Sequence, residues 1–457
     1  MTDTYRAPTP SILGPAYEAI AAKYRPVFAR IQATALEREQ QRRLGHDAIQ
    51  WLKEARFGAL RVPVEHGGDG ATLPQLFQLL VELAAADSNI VQALRGHFAF
   101  VEDRLNAPRD AATAVWLRRF AEGDLAGNAW TEVGNVAIGD VITRVTQKDD
   151  GRWVVNGRKF YSTGSIFADW IDLYARRDGP GDGTGLDVIA AVRARQPGVT
   201  HHDDWDGFGQ RTTGSGTSVY QDAEVEPENI FRFDTRFKYQ TAFYQLFHLA
   251  TLAGIARAIT RDAAAQVRGR KRIFSTGNAP SVAQDPQVLQ VVGEVSAIAY
   301  AAEATAVRAA FAAQRAYDAH WSGTPEEERQ ANIEAELESA QGQVALGEQV
   351  LRAAGQFFNG LGASAASSAQ SLDRHWRNAR TVASHNPVIY KARIVGDWEV
   401  NGTEPPYVWQ IGAGPGRPAS AAGNDAGTAT STADAATAAT AGHAANAAQA
   451  RPLARAA

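Results

Sequence analysis

Between Phe237 and Phe358 the sequence offers helix and little else, and this constrains the fold more than any other feature. Three runs follow one another, Thr241–Arg268, Gln287–His320 and Pro325–Phe358, with apolar residues recurring at three- and four-residue spacing. Such spacing puts an apolar stripe on one face of each helix, and helices of this length must bury their stripes against one another. The last two runs carry many alanines, which suits closely packed helices. The chain also begins helically, through about Asp124. Periodic apolar positions run through Tyr17–Leu36 and His46–Phe57, and in Leu73–Ala85 residues Leu76, Leu79, Leu80 and Leu83 share a face. The loop between the last two carries Pro63, Gly67, Gly68, Gly70 and Pro74.

From Ala126 the pattern changes. Asn156-Gly157, lying between the β-rich runs Arg152–Val155 and Arg158–Tyr161, predicts a hairpin. Further strands are predicted over Val141–Thr146, Trp170–Arg176, Leu186–Val192 and Thr217–Gln221, at the spacing of a small antiparallel β domain. The order is therefore helix, β, helix. From Ala419 onward the chain is about half alanine with no aromatic residue. Such a segment buries too little to offset its ordering entropy, so a disordered tail is expected.

Several function classes drop out early. No GxGxxG follows a strand and no GxxxxGK[ST] is present, so neither dinucleotide-binding nor phosphate-binding loop is supported. The formal net charge of -4 argues against a nucleic-acid partner. No apolar run approaches the roughly 18 residues of a membrane span. MTDTYRAPTP lacks the basic-then-apolar pattern of a secretory signal, and a cytoplasmic location is expected. The chain has no cysteine and only Met1, where ordinary usage supplies on the order of a dozen sulfur residues. That excludes disulfides, zinc–thiolate sites, iron–sulfur clusters and a cysteine nucleophile. His201-His202-Asp203-Asp204 reads as a polar turn and not a metal site, because adjacent strand residues face opposite ways.

Several local strings resemble the acyl-CoA dehydrogenase fold in their order. They are Thr131-Glu132, then Asn156, Gly157, Lys159, Tyr161 and Thr163, then Gly209–Thr213 and Glu226–Ile230, then GRKRIF and RHWRNAR (Arg374–Arg380). The resemblance spans roughly Ser11 to Val408. It implies an α+β fold with an N-terminal helical domain (1–124), a middle antiparallel β domain (125–236) and a C-terminal four-helix bundle (237–412), leaving a tail (413–457). It also implies a homotetramer. The dehydrogenase branch removes a substrate proton with a glutamate shortly after the RHWRNAR position, but here that place is Asn386. The alternative location falls at Tyr244-Gln245, again without a carboxylate. An amide cannot act as a general base. TVASHNPVIYK is instead similar to a branch of flavin monooxygenases on this fold that oxygenate organosulfur compounds, dibenzothiophene monooxygenase among them.

That branch implies reduced FMN, delivered by a separate NAD(P)H-dependent flavin reductase, O2, and a sulfide, sulfone or alkanesulfinate as substrate, by way of a C4a-(hydro)peroxyflavin. FAD fits less well, because NGLGASAASS (Asn359–Ser368) is less glycine-rich than the family's bend. His385 is the catalytic candidate, a hydrogen-bond donor to the oxygen being transferred. His97 and Asn128 are further candidates, each with a structural alternative: a core histidine and a strand-entry asparagine. Thr131, Tyr161 and Thr163 match positions that contact the flavin ring, and Ser162 replaces Thr163 if the register slips by one. Arg270 or Arg272 is a candidate for the flavin phosphate, as are Arg374 and Arg377. The rival readings are a flavin N-hydroxylase or nitroalkane-type oxidase, an acyl-CoA dehydrogenase with FAD, and a flavin-free scaffold. The poverty in sulfur supports the organosulfur reading: a chain made during sulfate starvation costs less sulfur if it carries almost none.

Overall fold

The computed structural model describes residues 12–132, 140–178 and 185–408. All lie within the unit Met1–Arg417, which contacts set apart from Pro418–Ala457. The expected disordered tail lies outside the described residues.

Five helices open the chain: α1 (Gly14–Gln41), α2 (His46–Glu54), α3 (Leu73–Ala86), α4 (Ser88–Asn106) and α5 (Ala111–Glu122). Thr72 and Gln75 close a capping box at the start of α3. The Asp87 side chain accepts the Asn89 N–H and caps α4. The sequence reading did not single out α4, although Ile90, Val91, Leu94, Phe98, Val101 and Leu105 recur at helical spacing; both its apolar and its polar face are buried.

The sheet contains β1 (Ala126–Ala129), β2 (Arg144–Gln147), β3 (Trp153–Lys159), β4 (Trp170–Asp178), β5 (Asp187–Arg193), β6 (Val199–His201), β7 (Ser218–Glu224) and β8 (Ile230–Arg232). Its order is β6-β7-β3-β2-β4-β5-β8, with β1 paired to β4. Pairing is antiparallel except on one side of β4, where β1 and β2 both run parallel to it, β1 along its first half and β2 along its second. The predicted Asn156-Gly157 hairpin is absent, since both residues lie inside β3. Gly157 is there for space, not for a turn: a Cβ would stand 2.4 Å from Thr143 Oγ1. The ladder to β7 shifts register at this point, as a bulge requires.

The C-terminal helices are α6 (Gln240–Gly269), α7 (Pro286–Ser322), α8 (Pro325–Gln356), α9 (Arg374–Ala383) and α10 (Val388–Asn401). The first three pack on one another, α9 lies against α6 and α8, and α10 lies against α8. Helix α6 is buried along most of its length because it also receives α3 and α4. Phe77 of α3 meets Phe243 and Phe247 of α6 edge-on at 5.5 and 5.2 Å. Full burial of such a ring contributes roughly 1.5–3 kcal/mol. One apolar core therefore joins helices from both ends of the chain and holds α4, α6 and the α9–α10 turn in fixed relation.

Candidate active site

Helix α4 meets the sheet at β1. Gly96 permits the approach, because a Cβ there would lie 2.8 Å from the Asn128 backbone nitrogen. Gln92 and Arg95 share a face of α4 at i, i+3 spacing, close to where Asn128 and Trp130 leave β1. The Trp130 ring packs on Tyr244 of α6 at 5.6 Å. The Arg95 guanidinium sits over the same Tyr244 ring at 5.1 Å. One residue on, Gln245 Oε1 accepts hydrogen bonds from Gln343 Nε2 of α8 at 2.7 Å and Asn386 Nδ2 at 3.3 Å. His248 Nδ1 reaches the same oxygen at 3.2 Å. That oxygen only accepts, so Nδ1 carries the proton and the His248 Nε2 lone pair is bare. The His248 ring lies 4.3 Å from the His385 ring.

Burial pushes the His385 imidazole down, to about 3, and the Arg95 charge adds to the effect. The residue is exposed, which weakens the first cause, though both act downward. His248 is pushed down by burial, then by His385, Arg95 and Lys391. Both imidazoles are neutral at physiological pH. Burial raises the Tyr244 phenol to about 12, against the opposing pull of Arg236.

Among the buried polar atoms without a protein partner, which occur at several places in the fold, Gln92 Oε1, Arg95 Nε, Asn128 Oδ1, Ser162 Oγ, His248 Nε2 and Gln343 Oε1 belong to these elements and the segments beside them. Native cores leave few such atoms unpaired. The set mixes donors with acceptors, which fits a polar heterocycle and a small oxygenated substrate. Two cavities lie elsewhere. One of about 330 Å3 is lined by Gly269, Arg270, Leu361 and Ser364. Another, of about 460 Å3, lies among α1, α6 and α9 and includes Asp262 and Arg374. Neither is lined by His385, and we place the chemistry by the unpaired polar groups, not by cavity size.

The structure brings together only some of the residues singled out from sequence. Ser162 has a free buried hydroxyl, whereas the Thr163 hydroxyl is engaged with Ser215 Oγ at 2.8 Å. Tyr161 adopts φ +61° with a half-exposed ring against Trp205. The Thr131 carbonyl accepts the Phe160 N–H. Arg270 borders the smaller cavity and makes no ion pair among the described residues, while Arg272 is exposed. Three of the candidates are engaged within the protein. His97 is a satisfied core residue, with Nε2 at 2.9 Å from the Gly58 carbonyl and Nδ1 accepting the Ala126 N–H at 3.2 Å. Arg374 is taken by Asp262 at 2.5 Å, and Arg377 by Glu39 and Asp373, each at 2.7 Å. Both are engaged by carboxylates, although Asp262 is shared with Arg261 at 3.1 Å. Sequence reasoning missed Arg95 and His248. The available signal for Arg95 was its charge, alone in the run Asn89–Val101.

The two places where a dehydrogenase would carry its base, Gln245 and Asn386, thus meet in space as a hydrogen-bonded pair of amides. Comparison with known proteins gives the context. The family models for the acyl-CoA dehydrogenase middle domain and C-terminal domain match residues 129–223 and 246–389, together more than half of the chain. The chain belongs to the acyl-CoA dehydrogenase family. Within that family it is 28% identical to the dibenzothiophene monooxygenase of Rhodococcus erythropolis over 395 residues, 82% of this chain and 91% of the relative. The FMN-bound structure of TdsC from Paenibacillus sp. A11-2 superposes with a TM-score of 0.75 at 27% identity, covering 85% of this chain and 98% of TdsC. The methanesulfinate monooxygenase MsuC from Pseudomonas fluorescens gives 0.74 at 26% identity, covering 85% of this chain and 98% of MsuC. These relatives are oxygenases on a fold whose family name describes dehydrogenation, and the amide pair agrees with them.

Proposed function

We propose that this chain is an FMNH2-dependent monooxygenase that oxygenates an organosulfur compound in sulfur scavenging. The observation that carries this reading is the Gln245–Asn386 amide pair, which removes the base a dehydrogenase needs. Reduced FMN, supplied by a separate NAD(P)H-dependent reductase, provides the two electrons that activate O2. Among this chain's residues, His385 donates an N–H to the oxygen being transferred, and its depressed pKa keeps the ring neutral. Asn128 Oδ1 and Ser162 Oγ are the unpaired groups left for the ring system of the flavin. Trp130, Thr131 and Tyr161 border that side, and Arg270 is the uncompensated cation for the phosphate. Gln92, Gln245 and His248 bury one side of the site while His385 itself is exposed, so keeping water from the reactive oxygen falls to the bound flavin and substrate. We read the assembly as a cytoplasmic homotetramer, which light scattering on purified protein tests. Among the described residues no helix is long and apolar enough to cross a membrane.

The test is anaerobic loading with FMNH2, then oxygen with a panel of sulfides, sulfones, sulfinates and amines, read by mass spectrometry. An oxygenated sulfur product is expected from the wild type. His385→Ala should sharply lower product while hydrogen peroxide release persists. Bleaching of a bound oxidised flavin by an acyl-CoA would refute the reading.

A further inference from the structure

Among the described residues five arginines are buried: Arg38, Arg61, Arg95, Arg104 and Arg236. Four of them face a carboxylate. Arg38 has Asp87 at 3.0 Å, Arg61 has Glu102 at 3.0 Å, Arg104 has Asp103 at 2.7 Å and Arg236 has Asp172 at 2.8 Å. Arg95, 7% exposed, has none. Its Nε has no partner, and the contact it keeps is the face of the Tyr244 ring. A desolvated guanidinium without a counter-ion is costly, and native proteins rarely leave one so. Burial itself pulls the Arg95 pKa down.

The Tyr244 ring face repays part of that cost, but no charged group in the surroundings does. His248, His385 and Tyr244 are neutral, and Gln92, Asn128 and Gln245 are uncharged. Other nearby charges come matched: Arg236 with Asp172, and Lys391 opposite Glu336. The missing negative charge must therefore arrive with a ligand. Relatives of this chain are named for both kinds of substrate, a neutral aromatic sulfur heterocycle and a small sulfinate anion. A neutral heterocycle would leave Arg95 buried and unpaired. The two oxygens of a sulfinate match the planar fork of a guanidinium.

Building on the monooxygenase reading above, we infer that Arg95 is the anion seat of the substrate site and that this chain oxygenates an alkanesulfinate. The reaction balances as RSO2− + O2 + FMNH2 → RSO3− + FMN + H2O. One oxygen atom forms a new S–O bond and oxidises sulfur. The other leaves as water, with both electrons and both protons coming from the reduced flavin.

The test is calorimetric titration of the protein with methanesulfinate and with dimethyl sulfone, a neutral ligand of similar size, in wild type and Arg95→Met. Wild type should bind the sulfinate about tenfold more tightly or better, the scale of one charge-assisted hydrogen bond. Arg95→Met should abolish that preference, weakening the sulfinate by about tenfold or more while sulfone and FMN affinities hold. It should also melt no lower than wild type, because it removes an unpaired buried charge. Equal loss for sulfinate and sulfone, a lowered melting temperature, or a matching loss of FMN affinity would overturn the assignment, the last by giving Arg95 to the flavin. In turnover, oxygenation of sulfides or sulfones but not sulfinates sinks this inference and leaves the monooxygenase reading standing. No oxygenation of any organosulfur compound sinks both.

Discussion

Acid should loosen the junction between α4 and β1, and His97 is the reason. Its ring is held as one neutral tautomer: Nε2–H donates to the Gly58 carbonyl, and Nδ1 accepts the Ala126 N–H at the entry to β1. A second proton would have to sit on Nδ1, facing another donor. Burial lowers the pKa to about 4 from 6.5, outweighing the bond to Gly58 and the charge of Asp169, which favour the cation. The unfolded chain therefore takes up its proton near 6.5, while the folded chain waits until about 4. The stability this residue lends is complete above 6.5 and drains away as pH falls through that window. Linkage puts the loss between pH 7 and pH 5 at about 2 kcal/mol. The assay is urea unfolding followed by tryptophan fluorescence at half-unit pH steps, comparing wild type with His97→Gln. The variant is less stable at pH 7, and its curve should be flatter below 6.5 by up to about 1.4 kcal/mol per pH unit, the slope for one proton. His375, lowered to about 4 chiefly by burial, contributes a like term in both proteins and cancels in the comparison. Parallel curves for the two proteins would refute the reasoning.

Two further perturbations probe the frame of the site. Gly96→Ala would set a Cβ 2.8 Å from the Asn128 backbone nitrogen and Cβ. With no flexible group to yield, it should cost about 1–3 kcal/mol by thermal melting and, through displacement of Asn128, depress oxygenation on the order of a hundredfold; wild-type turnover would contradict it. Asp172→Asn leaves Arg236 in the core with only the more distant Asp103 carboxylate, at 3.8 Å, and should destabilise by about 3 kcal/mol, whereas Asp172→Leu with Arg236→Met should recover most of that. A double variant as unstable as the sum of its singles would show that the pair is not the unit.

Sequence periodicity exposed part of the helical frame and left α4 and α5 unread. Helices α1, α2, α3, α6, α7 and α8 were legible from apolar residues at three- and four-residue spacing. Helix α4 carries the same rhythm in Ile90, Val91, Leu94, Phe98, Val101 and Leu105, but its polar face is buried as well, and nothing local says that Arg95 lies in the interior. Strands β2, β3, β4, β5 and β7 were legible as runs, while the short β1, β6 and β8 were not; their partners were hidden too, because parallel pairing of β1 and β2 with β4 joins segments far apart in sequence. Asn156-Gly157 misled for a related reason: the glycine answers to Thr143 across the sheet, which no local pattern contains. The site divides the same way. His385 was reachable through a string that resembles a known branch, but its companions His248, Gln245 and Gln343 come from α6 and α8 and are united only by packing. Arg374 and Arg377 show the converse. A basic cluster read along the chain looks like a phosphate site, yet Asp262 and Glu39, supplied by α6 and α1, pair with it. Composition marks where charge is, and only the fold tells which buried charge is still unspent; here that charge is Arg95, the buried arginine that no carboxylate meets among the described residues.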